Sequence, residues 1–345
     1  MQSSAVEKSW SLKEAVLTVR LSDDGRVAAI SLLDGTVQLI NLDNGEEKRI
    51  TAHASGSPLS FCVDGDGENF LSAGDDGRVV HLGWHHAPTV LAEQKGKWID
   101  HVAAHGKLRA YSCGKNVHII GREEPLPHPS SVGGTAFSPN GKRLAASHYN
   151  GISLWWTASK DAKPQTLLWK GSHLGVVWHP SGDYVMTSMQ ENALHGWRIK
   201  DNPPGELRMA GYPGKIHSYG FSHRGKWLIT SGADQIICWP FQGTGPQGKP
   251  PLALGVPEGA PVTAVSPHPK DDMTAAGYAS GRVILALLED RLPIELLPPD
   301  GNSVAALCWS NDGRNLITAH EDGTIRLFTN ESIINASQAA AANPL

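Results

Sequence analysis

Residues 16–42 read VLTVRL-SDDG-RVAAIS-LLDG-TVQLINL, three runs of alternating apolar residues separated by turns ending at Gly25 and Gly35. A period of two turns one face of a strand inward, and Asp-Gly pairs supply the left-handed backbone that tight hairpins need. The stretch therefore predicts three consecutive antiparallel strands.

The same unit returns along nearly the whole chain. The first turn recurs as DGDG at Gly67, AHG at Gly106, SPNG at Gly141, HPSG at Gly182, SHRG at Gly225, a glycine-free HPKDD from His268, and SNDG at Gly313. The second recurs as DDG at Gly77, GKN near Asn116, YNG at Gly151, EN at Asn192, ADQ at Gln235, ASG at Gly281 and EDG at Gly323. Gly25 lies 288 residues from Gly313, as Gly35 does from Gly323, so seven intervals average about 41 residues. That spacing matches the roughly 40–45 residues of a four-stranded propeller blade. The third copy is short, with Gly106 only 35 residues before Gly141. Third strands end in Trp155, Trp197, Trp239 and Phe328, with Trp84 nearby and Ile40 in the same slot of the first copy; Trp155, Trp197 and Trp239 read as blade core.

On these residues the chain resembles the WD-repeat β-propeller family over residues 5–330, although no copy has a literal Trp-Asp or Gly-His pair. The reading is an all-β fold: a single closed propeller over residues 1–330, with eight four-stranded blades and seven as the alternative. Blades start near residues 16, 59, 99, 133, 174, 217, 262 and 304. The last copy stops after TIRLFTN, so a strand within residues 7–13, carrying Trp10 and Leu12, is expected to complete it and remove an open edge. Residues 331–345 are expected to form a flexible tail, with a frayed helix as the other reading.

A formal net charge of -4 provides no broad basic surface for nucleic acid. No run approaches the ~20 apolar residues that span a bilayer, and the start lacks a signal-peptide pattern. The expectation is a cytoplasmic, monomeric propeller that engages no membrane. Cys62, Cys113, Cys238 and Cys308 lack paired CxxC spacing and read as free thiols.

The chain contains no GxSxG, HExxH or GxxxxGK[ST] motif. The pairs Asp23–Asp24, Asp75–Asp76 and Asp271–Asp272 fall in turns, where aspartate bonds locally. The Asp64–Gly67 run lacks the remaining ligands of a calcium loop. No cofactor is expected.

The resemblance implies that His53 and His128 are structural, each bonded inside its blade, and that Asp34, Asp76, Asp234 and Asp322 are the turn aspartates. His179, His223 and His268, in first turns, read as solvated. The position closing the second strand reads Leu32, Gly74, Cys113, His148, Met189, Gly232, Gly277 and His320. The family docks partners mostly on this end of the ring, where the first strands also begin and where Trp98, Asp100, His173 and His217 fall. The candidate partner-binding set is therefore Trp98, Asp100, Cys113, His148, His173, Met189, His217 and His320. The leading reading is a non-enzymatic scaffold offering this face to a protein or peptide. A metal-handling accessory protein using His148, His173, His217 or His320 is the alternative, since imidazole ligates zinc and copper. A propeller enzyme acting on a small molecule is the third.

Overall fold

In the computed structural model, which describes residues 5–159, 163–243, 245–255, 257–288 and 293–342, both turn series use left-handed backbone. The first-turn glycines have φ of 72° at Gly25 and 79° at Gly67, and the second-turn glycines 83° at Gly35 and 78° at Gly77. Where the second turn lacks a glycine at that point, Asn150 and Asn192 take φ of 66° and 50°. Asparagine is among the few residues that tolerate this region.

The strands between these turns pair antiparallel in sequence order. One sheet runs Val16–Leu21, Val27–Leu32, Thr36–Asn41, Glu47–Thr51. The next two are Pro58–Val63, Phe70–Gly74, Arg78–Leu82, Thr89–Glu93 and His101–His105, Leu108–Cys113, Asn116–Ile119, Leu126–Pro127. Further along the chain come Tyr219–Phe221, Trp227–Thr230, Ile236–Pro240, Leu252–Leu254 and Val262–Pro267, Met273–Tyr278, Val283–Leu287, Ile294–Leu297. The last four-stranded sheet is Val304–Trp309, Asn315–His320, Thr324–Thr329 and, at its outer edge, Lys8–Ser11, with Trp10 opposite Ile325.

The remaining sheet has six strands: Gly134–Phe137, Arg143–Trp156, Gln165–Trp178, Tyr184–Met189, Ala193–Arg198 and Gly205–Met209. Among the described residues, the expected eight separate blades are thus corrected to seven hydrogen-bonded sheets of a β-propeller, the smaller number being the alternative. The cause is the 14-residue strand Gln165–Trp178. Its first half pairs with Arg143–Trp156 and its second with Tyr184–Met189, so the fourth and fifth copies of the repeat are joined rather than interrupted.

Two compact units divide the chain, residues 1–33, 40–47 and 217–345 forming one and residues 34–39 and 48–216 the other. In the first, Val19, Ile30, Ile40, Ile317 and Ile325 share a buried cluster, and Trp309, Leu316 and Phe328 another. In the second, Ile152, Trp178, Val185 and Trp197 pack together. Complete burial of a side chain such as Phe328 contributes roughly 1.5–3 kcal/mol. Second strands are covered on both faces, as Phe70–Gly74 and Tyr184–Met189 are. Small adjacent residues in these strands, Ala28–Ala29, Ala145–Ala146 and Ala275–Ala276, permit that close approach.

The segment read as a flexible tail, with helix as its other reading, is helical over Asn330–Ala342, and Ile333 is buried against the Phe328 cluster. Among the described residues no helix is long and apolar enough to cross a membrane.

Candidate functional site

Hydrogen bonding separates the histidines of this chain into interior and surface groups. His53 donates Nδ1–H to Asp76 Oδ1 at 2.9 Å and accepts at Nε2 from the Ser72 hydroxyl at 2.8 Å. An Asp–His–Ser chain has the connectivity of an activated nucleophile. Here, however, Ser72 and both partner side chains are buried, so no substrate carbonyl reaches the hydroxyl. The set instead ties a second turn to the segment leading into its sheet.

His128 plays a comparable part, accepting the Trp155 indole N–H at Nε2 (3.1 Å) and facing the Lys115 carbonyl through Nδ1 (3.3 Å). Burial, reinforced by His148, pushes its pKa down to about 4. Asp34 and Asp322 sit exposed in their turns, bonded to Thr36 and Thr324, and Arg49 also engages Asp34 at 2.6 Å. Asp234 is half-buried in its own turn.

Of the candidate binding residues, Cys113, His148, His173, Met189 and His320 are all buried. His148 donates Nδ1–H to the Tyr149 carbonyl and meets Ser153 through Nε2, while His173 bonds Thr187 at 2.7 Å and the Trp169 carbonyl at 3.0 Å. His320 donates to the Asn302 carbonyl and accepts from Arg326 at 2.8 Å. Burial lowers the pKa of all three histidines, keeping them neutral and suited to these bonds. The second strands lie between neighbouring layers, which draws their closing residues inward. Trp98 and His217 are exposed and Asp100 is half-buried.

Two of the first-turn histidines read as solvated are buried as well. His268 donates Nε2–H to the Gly313 carbonyl at 3.0 Å, and His179 bonds Ser181 at 2.9 Å. His223 is partly buried beside Asp272.

Among the described residues, one group of three close ligand atoms exists, Asp64, Asp66 and His81. Arg109 already engages the buried Asp64 carboxylate, through Nε at 2.8 Å, and Asp66 caps the backbone N–H groups of Glu68 and Asn69. These carboxylates serve a turn and an ion pair.

The outward-facing residues come from a repeated irregularity. Register shifts between Val16 and Thr18, Pro58 and Ser60, His173 and Gly175, Val262 and Ala264, and Val304 and Ala306 leave one unpaired residue near the start of each of these first strands. A β-bulge of this kind re-aims a side chain out of the ladder. Three of the extruded residues are leucines, Leu17, Leu59 and Leu174, exposed by 39%, 43% and 36%.

Within the second unit the same strand ends carry Trp98 at 64% exposure and Tyr149 at 55%. Contacts link the segments that flank them. Val102 donates to Ser60 beside Leu59, Tyr149 donates to Ser130, and a Cβ on Gly133 would lie 2.9 Å from the Leu174 carbonyl. The turn pattern read from the sequence missed Leu59, Tyr149 and Leu174. The signal available for the leucines was a broken alternation, an apolar Leu directly after Pro58 and after the interior His173.

Comparison with known proteins agrees with this architecture. Residues 265–344 match the family described as Anaphase-promoting complex subunit 4 WD40 domain. Telomerase protein component 1 of Mus musculus is 22% identical over 350 residues, covering 94% of this chain and 13% of that protein. Its Rattus norvegicus counterpart is 23% identical over 341 residues, covering 92% and 12%. Coronin-7 of Homo sapiens is 30% identical over 119 residues, 34% of this chain and 13% of that protein. The chain therefore spans 12–13% of the length of these relatives. With the repeated sheets and turns, these matches support a WD-repeat β-propeller.

Proposed function

We propose that this chain is a non-enzymatic interaction module that presents the strand-start end of its sheets to a protein or peptide. The observation carrying this reading is the repeated bulge that turns leucines outward beside Trp98 and Tyr149. Large apolar side chains held at ordered strand ends cost water contact unless a partner covers them, and aromatic residues in such places dominate binding energies. The name of the matched family, a subunit of a complex, supports an assembly role. Burial of the Asp76–His53–Ser72 chain supports a role without catalysis.

The face shifts from the set read in the sequence to Leu59, Trp98, Tyr149 and Leu174, keeping only Trp98 of that set. Affinity purification of the full chain, with identification of bound proteins, tests it. Specific partners should be lost when Trp98→Ala and Tyr149→Ala are combined. Retention of every partner by this variant, with an unchanged melting temperature, would assign binding elsewhere. We also propose that the edge strand Lys8–Ser11 closes the propeller.

A further inference from the structure

We infer that the partner of this face is an acidic peptide segment bearing bulky apolar side chains, an inference that rests on the reading of the face given above. Charge on the second unit carries it. Lys95, Lys97, Lys115 and Lys170 are all exposed. Each lies at the strand-start end. The Lys97 carbonyl sits against the Gly77 turn, the Lys115 carbonyl accepts from His128 N–H at 2.9 Å, and Gly171, next to Lys170, donates to Asn150 at 3.2 Å.

Among the described residues, none of these four ammonium groups is paired with a carboxylate. Three of the carboxylates at this end are engaged by the fold, while Asp100 is half-buried and, among the described residues, in no ion pair. Asp75 accepts from Ser57 N–H at 2.7 Å, Asp76 is buried against His53, and Glu191 accepts from Ser172 N–H at 3.2 Å. A chain of net charge -4 thus presents an excess of positive charge around these outward apolar residues, four exposed lysines against Asp100 and Glu191. Lys97 adjoins Trp98, and Lys170 lies four residues before Leu174. Carboxylates on the partner would neutralise the lysines while its apolar side chains cover Leu59, Trp98, Tyr149 and Leu174. A nucleic acid fits less well, because Leu59 and Leu174 beside the two aromatic rings give bases no stacking surface and the chain as a whole is anionic.

The test selects a phage-displayed library of random peptides on the full chain and measures winning peptides by fluorescence anisotropy. Selected sequences should combine Asp or Glu with Leu, Phe or Trp, and bind more weakly as salt rises. Lys97→Glu with Lys170→Glu should weaken binding about tenfold or more. Exchanging the peptide's Asp and Glu for Asn and Gln should do the same, a measurement that does not depend on how the variants fold. Failure to select acidic peptides, or selection of neutral or basic ones that still require Trp98, overturns the charge inference while leaving the face intact. Acidic peptides indifferent to Trp98→Ala and Tyr149→Ala overturn the reading of the face itself. An oligo-dT strand that displaces the peptides at lower concentration than unlabelled peptide overturns the proposal in favour of single-stranded nucleic acid.

Discussion

His53 and Gly77 show how single residues hold a turn in this chain. Replacing His53 with alanine leaves the Asp76 carboxylate and the Ser72 hydroxyl buried without their common partner. Among the described residues, Asp76 then keeps only the Arg78 N–H at 3.1 Å, and removing the side-chain partner of a buried charge costs about 3 kcal/mol or more. The His53→Ala variant is therefore expected to lose at least that much in urea unfolding, whereas loss below about 1 kcal/mol would show the bonds to be dispensable. Gly77 combines φ of 78° with a Cβ position 2.3 Å from the Gln94 carbonyl. Gly77→Ala should cost about 2 kcal/mol or more, since it meets both backbone strain and a clash with main chain. Both positions were legible as turn or blade residues, because hairpin chemistry is local. The inward orientation of His173 was not, since whether a ring faces solvent depends on the neighbouring sheet.

The six-stranded sheet and the segment leading into it bury His128, His148, His173 and His195. Burial, and then the closeness of His173 and Arg208, push the pKa of His195 down to about 3. Neutral in the fold, these side chains take up protons only when the chain unfolds. Their stabilising contribution is therefore complete above the unfolded value of about 6.5 and is lost as pH falls through that value. For His128 and His195 the loss continues toward about 4 and about 3, at roughly 1.4 kcal/mol per pH unit for each. Urea midpoints at pH 7.5, 6 and 5 should fall steeply, and a flat profile would contradict the buried neutral state. Among the described residues both His195 ring nitrogens lack a partner, and the ring stacks on Trp169 at 4.1 Å. His195→Phe is therefore expected to preserve stability at pH 7.5 and to flatten part of the acid loss. The sequence marked the strands here but not their fusion, because continuity across Gln165–Trp178 is a matter of register between chain segments.

For the molecule as a whole, the edge Thr324–Thr329 is paired by Lys8–Ser11, and Leu12 N–H adds a bond to the Gly323 carbonyl. Removing residues 1–13 should expose a row of unpaired backbone groups, lower the melting temperature and promote aggregation visible by light scattering. A truncated chain that remains monomeric and equally stable would refute a closing role for this strand. Two equal-span turn series made the propeller architecture legible in the sequence, because turn residues and strand alternation are local requirements repeated at a constant period. The same patterns placed the N-terminal strand beside the last copy. Tertiary structure alone decided which side chains face outward. A bulge shifts register by one residue and turns Leu59 and Leu174 toward solvent, while packing on both faces draws Cys113, His148 and Met189 inside. Sheet number was likewise decided by long-range pairing, since the period counts copies of a motif and not the hydrogen bonds that join or separate them.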